Sequence, residues 1–337
     1  MDMRSYFLRR LLYLVITLFA ILLFNFFLFR IMPGDPAAVL VPKTGDQALR
    51  QMVRDKFHLN DPLLQQFYYY IIQVFTLDFG ISTGVRKYGL VSSIIPSYVV
   101  NTLLLLGIGT ALAITFGIML GRFAAWRRGK PADTIGMAFA LTFYSMPTFL
   151  FALVMLMVFA GSLGWFPLKG AYGADYIHMN ILDKLGSRAY HMVLPVVAFT
   201  IEMMAEYALI MRNSLTDVLT EDYIVTARAK GLSNKMILND HAMKNAMLPV
   251  VTVAAIGIGW MLGGDIMVEI VFSYQGIGLL TWEAVNKRDF PILQALFLLM
   301  AIAVLFANLV ADIIYVYLDP RVQIDIIYVY LDPRVTV

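Results

Sequence analysis

Cysteine is absent from this 337-residue chain, and charged residues make up only 15% of it. The first absence excludes disulfides, thiolate metal sites and a cysteine nucleophile. The second sets the chain apart from soluble domains, in which roughly a quarter of residues are charged. No Gly-x-x-x-x-Gly-Lys-Ser/Thr run occurs; Gly129-Lys-Pro131 lacks both the upstream glycine and the hydroxyl. A phosphate cradle needs those elements at a helix start, so the chain is not expected to bind ATP. His58, His178, His191 and His241 are scattered without metal-ligand spacing, and no Ser/His/Asp set is detectable. A formal net charge of +3 is too small to argue for nucleic-acid binding.

What is abundant is apolar: 60% of residues, gathered into runs. Runs of about 20 apolar residues cross a hydrocarbon core of about 30 Å as helices. Six are read, at about 9–31, 98–121, 134–161, 192–212, 247–268 and 291–317. Barrel strands would alternate with period two over only about ten residues, so the expected class is an all-α polytopic membrane protein. Arg4, Arg9 and Arg10 precede an apolar run that continues to about Phe29 without a small-residue cleavage site. A retained first helix, not a signal peptide, is expected there.

Basic residues set the orientation. Arg4, Arg9 and Arg10 precede the first span; Arg122, Arg127, Arg128 and Lys130 separate the second and third; Arg212, Arg228, Lys230, Lys235 and Lys244 lie between the fourth and fifth. The short loops on the other side carry fewer, Lys169, Lys184, Arg188, Lys287 and Arg288. Both termini and the 213–246 loop are therefore expected in the cytoplasm. The chain divides into an N-terminal transmembrane helix (1–31), an external region with an amphipathic helix (32–97), a core (98–322) and a tail (323–337). In the external region Asp61 and Pro62 read as a helix start. Leu63, Leu64, Phe67, Tyr68, Ile71, Ile72 and Phe75 follow at helical spacing. That helix lies either at the outer interface or against the bundle. In the tail, Asp325 to Val335 repeats Asp312 to Val322 without change. The second copy is too short to span a bilayer.

Two groups of residues are candidates for function. The 213–246 loop holds a helix-prone stretch of Asp222, Tyr223, Thr226, Ala227, Arg228, Ala229 and Lys230, closed by Gly231 and Leu232. Small residues let a partner approach closely, and Gly231 permits a sharp turn after the helix. The loop is either a docking element or a solvated helix. Within the spans, Glu202 and Glu206 lie one turn apart, as do Asp265 and Glu269. Intramembrane carboxylates are costly and usually face a cavity or a partner. They fit the lining of a substrate path, proton carriers of an ion-coupled transporter, or structural pairs. Gly257, Gly259, Gly263 and Gly264 suit close helix packing in lipid.

Tyr223 to Leu232 (YIVTARAKGL) resembles the cytoplasmic loop of the dipeptide, oligopeptide and nickel class of binding-protein-dependent ABC import permeases. The resemblance extends to Arg30–Ala37, Leu77–Gly80, Pro147–Phe149, Leu163–Pro167, Glu269–Phe272, Gly276–Gly278, Arg288–Pro291 and Leu318–Arg321, in order along nearly the whole chain. Val225 and Thr226 stand where the general loop pattern has glutamate and alanine, and Gln275 where proline is common. Asp265 replaces a usual small residue. The resemblance implies a type I importer permease fold of six transmembrane helices, without a catalytic residue. The partners it implies are a homologous second permease, two cytoplasmic ATPase subunits that hold ATP and Mg, and an external solute-binding protein. Peptide is the substrate it suggests first; oligosaccharides and nickel chelates are alternatives.

Overall fold

Backbone amides that cannot reach water must bond one another, and a helix meets that demand within a single segment. The computed structural model describes residues 3–31, 51, 54, 60–86 and 88–318. Among the described residues, α1 (Met3–Ile31) is followed by α2 (Leu63–Thr76), α3 (Val91–Trp126) and α4 (Pro131–Tyr144). Next come α5 (Thr148–Met155), continued by a π-helical stretch Leu156–Ser162, then α6 (Ile181–Val218) and α7 (Asp222–Ala229). A short α8 (Asn234–Met236) passes through a π-helical turn, Ile237–Ala242, into α9 (Met243–Trp260). After a 3-10 turn (Met261–Gly263), α10 (Ile266–Val271), α11 (Ile277–Asn286) and α12 (Phe290–Leu318) complete the described fold. Most of the motif around Pro33, the duplicated tail and Asp319–Arg321 lie outside the described residues.

The expected all-helical class holds, but the count of six spans is not established. Among the described residues four helices are long and apolar enough to cross a membrane, Leu12–Arg30, Val91–Trp126, Ile181–Val218 and Phe290–Leu309. A fifth is reached only by joining α4 to the helix at Thr148–Ser162, and that pair is bent by 96°. The third expected span is therefore broken. Pro147 stands at the break; it lacks an amide donor and disfavours helical geometry in the residue before it. The fifth expected span, 247–268, also stops short. Its helix ends at Trp260, and Gly264 takes a left-handed turn (φ +73°) ahead of α10.

The longest helices, α3 and α6, form the central seam. Gly109, Gly117 and Gly121 on α3 lie so close to Phe199, Tyr207 and Ala208 of α6 that a methyl group at any of them would overlap. With the fully buried Ala113 they repeat every four residues along one face. Of the span-five glycines, Gly257 faces the Tyr207 hydroxyl and Gly264 meets the backbone of Gly278, whereas Gly263 has open space around it. The tightest packing is thus on the second span and not on the fifth.

Helix α2 settles the choice left open for the external helix on one face only. Tyr70 and Gln66 are buried, and the Tyr70 hydroxyl accepts from Asn25 Nδ2 of α1 at 3.0 Å. The same amide donates to the Gln294 carbonyl of α12 at 3.1 Å. Phe26 and Phe67 pack edge to face beside them. Leu64 and Phe75 on the opposite face are exposed. Asp61 does not cap α2. Pro62 takes that position with no side-chain cap, and the Asp61 carbonyl accepts from Gln66 Nε2.

Asp289, just ahead of α12, fastens the end of the external region. Its carboxylate accepts from the Ser82 hydroxyl and from the amides of Thr83, Gly84 and Val85, the last two at 2.9 Å. Burial alone would push this carboxyl up. The Ser82 hydroxyl and the three amides outweigh it, and the group sits below its ordinary value. Such a group stabilises the fold fully above the unfolded value of about 3.9, and the contribution is lost as pH falls through the lower folded value. Asp289→Asn should weaken the clasp by about 2 kcal/mol. Protection from amide exchange over residues 82–86, relative to the intrinsic rate at each pH, should fall in wild type only below about pH 4, and should be low at every pH in the variant. Identical protection profiles in the two proteins would refute the clasp.

Candidate functional site

Helix α7 is short and polar, and it is held by two side chains. Ile224 and Ala227, three residues apart and so on one face, are buried against Met211 and Leu215 of α6 and Ile237 and Leu238 of the π-helical turn. Asp222, Tyr223, Val225, Thr226, Arg228, Ala229, Lys230 and Gly231 are exposed, and Leu232 is half-buried. Asp222 in the first turn and Arg228 in the last complement the helix dipole. The helix closes with Lys230 N–H donating to Thr226 O and Gly231 N–H to Arg228 O. Gly231 has φ +76°, and no atom lies within 4 Å of where its Cβ would stand. It is therefore required by backbone geometry and not by crowding. Tyr223 is steadied from α9, where Asn245 Nδ2 donates to its hydroxyl at 2.8 Å.

Two polar ties fix the ground beneath this helix. Arg212 of α6 makes a two-pronged ion pair with Asp133 of α4, Nε to Oδ1 at 2.7 Å and Nη2 to Oδ2 at 2.8 Å. The Gly129 amide also donates to that carboxylate. Arg122, near the end of α3, donates through Nη2 to Asn239 Oδ1 of the π-helical turn at 2.8 Å. Residues following α7 are thus tied to α3, and residues preceding it to α4. Sequence reading counted Arg122 and Arg212 only as charge and passed over Asp133. The available signal was an acidic residue in the first turn of α4, a position that favours carboxylates.

Asp265 lies within electrostatic reach of both Glu202 and Glu269, but each of the three has hydrogen-bond partners of its own. Glu202 accepts from the hydroxyl of Thr148, the first residue of α5, so it stands at the positive end of a helix that begins at the break. Glu206 is half-buried one turn further along α6. Asp265 and Glu269 are not on the long helix of the fifth span but beyond its break. Asp265 caps α10, accepting from the Val268 amide at 3.0 Å. Glu269 is fully buried: Oε1 accepts from Thr102 of α3 at 2.8 Å and Oε2 from the Leu279 amide at 2.9 Å. The Thr102 hydroxyl in turn accepts from the Ile277 amide at 2.7 Å. A side chain on Gly276 would collide with the Glu269 carboxylate, and one on Gly278 with the Ile266 backbone beside it. Glu269 accordingly caps α11 and staples it to α3, facing glycine backbone and not an open path. Gln275 accepts from the Ala171 amide through its side chain, and its carbonyl accepts from Asn101. Among the described residues no group of three or more His, Asp or Glu could hold a metal ion.

Comparison with known proteins gives a consistent result. The family model described as "Binding-protein-dependent transport system inner membrane component" matches residues 117–324. A second, "Binding-prot-dependent transport system membrane comp, N-term", matches residues 3–90. The glutathione transport system permease protein GsiC of Escherichia coli (strain K12) is 35% identical over 321 residues, covering 95% of this chain and 99% of that protein. The oligopeptide transport system permease protein AppB of Bacillus subtilis (strain 168) is 34% identical over 326 residues, covering 95% and 100%. Among solved structures, the MetNI methionine ABC transporter in an inward facing conformation matches with a TM-score of 0.53 at 17% identity. It covers 67% of this chain and 97% of that one, which speaks to the fold alone.

The seating of α7 has a direct test. Ile224→Ala should weaken its anchoring by about 2–4 kcal/mol and raise amide exchange across residues 222–232. Val225→Ala, on the exposed face, should leave exchange nearly unchanged. Equal protection in both variants would show that Ile224 is not the anchor.

Proposed function

The chain belongs to the family of binding-protein-dependent transport system inner membrane components, and from that premise we infer that α7 is where an ATPase subunit engages it. The protein is a permease subunit of an ABC importer and resides in the membrane. What carries the docking reading is the side-chain pattern of α7: two residues face inward, and a run from Asp222 to Gly231 is otherwise presented outward. A helix that served only as a solvated connection would not need a buried isoleucine and a left-handed glycine to hold its angle.

In the mechanism we favour, ATP binding closes two cytoplasmic ATPase subunits, and α7, seated in a groove on one of them, moves with it. Displacement passes to α6, on which α7 is seated, and through the π-helical turn to α9, and the path opens toward an external solute-binding protein; hydrolysis resets it. ATP and Mg sit on the ATPase subunits, and a homologous second permease completes the path. Both termini and the 213–246 loop face the cytoplasm, a placement supported by the basic residues on that side. Peptides are the proposed substrate, supported by relatives named for glutathione and oligopeptide transport. Selection among peptides is expected to lie largely in the binding protein.

An ion-coupled transporter would need mobile carboxylates in the spans. Glu202, Asp265 and Glu269 are instead engaged by Thr148, the Val268 amide, and Thr102 with Leu279, which leaves Glu206, half-buried, as the fourth. We therefore assign the three no coupling role, and Glu206 alone does not make a relay.

The test is hydrolysis by the assembled complex in nanodiscs, with binding protein and peptide added. Ala229→Arg places bulk on the exposed face without backbone strain, and Gly231→Arg adds strain at a left-handed position. Both should abolish the stimulation by loaded binding protein. In Ala229→Arg the complex should stay assembled, or fall apart if α7 is the main adhesive contact. Stimulation unchanged in both variants would remove α7 from the coupling route.

A further inference from the structure

We propose that the α7-side end of α3 carries a binding site for the headgroup of an anionic phospholipid. A groove of about 350 Å³ opens there, lined by Met119, Arg122, Phe123, Trp126, Arg127 and Leu238. Its chemistry is divided. Two guanidinium groups stand at one end, and apolar and aromatic side chains form the remainder.

Both guanidinium groups have donors to offer. Arg122 spends Nη2 on the neutral amide oxygen of Asn239. Arg127 lies over the Phe123 ring, 4.4 Å from its centroid, a contact that leaves the edge of the guanidinium plane open to an anion. Among the described residues, neither arginine of the groove makes an ion pair with a carboxylate; Arg212–Asp133 and Lys287–Glu283 lie elsewhere. Arg127 alone could be explained as a cation at a helix C-terminus. Arg122, more than a turn earlier, is not at the end of the helix.

The apolar floor decides what kind of anion fits. Leu112, Phe116, Met119, Phe123 and Trp126 are all exposed and recur at steps of four and three residues. They form one stripe that runs from the groove back along the apolar length of α3. A free phosphate has no use for such a stripe, whereas a phospholipid acyl chain lies along it while the phosphate meets the arginines. Trp126 at the end of the stripe is the residue type that gathers at the membrane–water boundary. Basic pockets at the ends of membrane helices are a known mode of anionic lipid recognition. Because Arg122 also holds Asn239, a bound headgroup would rest on the tie between α3 and the segment after α7.

The experiment uses the assembled complex with Trp126 as the sole tryptophan of this chain, Trp165, Trp260 and Trp282 being replaced by phenylalanine and partner subunits carrying none. Nanodiscs contain a minority of either brominated phosphatidylglycerol or brominated phosphatidylcholine in a phosphatidylcholine background. Trp126 should be quenched preferentially by the brominated anionic lipid, with an enrichment of about fivefold per arginine. Arg127→Gln, which leaves the Arg122–Asn239 bond in place, should reduce the preference, and Arg127→Lys should keep most of it. The double variant Arg122→Gln, Arg127→Gln should bring the two lipids to parity. Equal quenching by both lipids in the parent protein would overturn the proposal, as would a preference unchanged in the double variant. Insensitivity to both lipids would mean that a protein partner covers the groove. Loss of the preference on adding inorganic phosphate would make it a site for a free anion. Either result would equally sink the lipid assignment, and none of these readouts depends on where the ATPase docks.

Discussion

The close approach of α3 and α6 is the constraint on which the rest of the molecule depends. Two apolar helices in lipid gain nothing from hiding apolar surface, because the solvent is as apolar as they are. They associate when their backbones come near enough for dense packing. Gly109, Ala113, Gly117 and Gly121, four residues apart, supply a groove with no side chains larger than a methyl, and Phe199, Tyr207 and Ala208 fill it. At about 1.5 Å per residue, α3 and α6 extend for more than 50 Å, well beyond a hydrocarbon core of about 30 Å. Their ends therefore stand outside the apolar layer, and that is where polar chemistry is gathered.

Polar contacts follow that division. At one end Arg212 grips Asp133 and Arg122 reaches Asn239. At the other, Asp289 gathers four donors from residues 82–85, while Glu269, further in, joins Thr102 of the second span to the start of α11. Each of these carboxylates takes several donors, which offsets the cost of removing its charge from water. Glu202, nearer the middle, follows the same logic differently. Its counterpart is the start of a helix, exposed because Pro147 interrupts the third span. The broken span and the carboxylate opposite it belong together.

Much of this was legible in the chain, for reasons that also mark where legibility ends. The apolar runs at 9–31, 98–121, 192–212 and 291–317 each fall inside an observed helix, since a membrane span declares itself by composition and length alone. Gly231 was recognisable as a turn residue because left-handed backbone selects for glycine. The family resemblance, now borne out by relatives sharing about a third of their residues, carried the functional reading. Contacts between distant residues were not legible. Asp133 and Arg212 are separated by 79 positions, and Ser82 and Asp289 by 207, with no local pattern to announce either pair. Glu269 was misplaced because an apolar run does not reveal that its helix stops at Trp260. Of the fifth-span glycines Gly264 does pack closely, but the four-residue glycine repeat on α3 was the clearer signal.

The distance between the Arg212–Asp133 pair and α7 has a mechanical meaning. From Arg212 to Val218 the helix α6 continues for about 9 Å before the chain turns into α7. A force applied to α7 therefore acts at the tip of a short lever whose fulcrum is the ion pair, while α3 and α4 form the frame. Small sideways strokes at the tip become torque about the seam, which the glycine stripe resists by shape and not by charge. The return arm through Asn239 and Arg122 closes the linkage. α7 is thus held at two points on either side of its own length, as a crank is held between bearings.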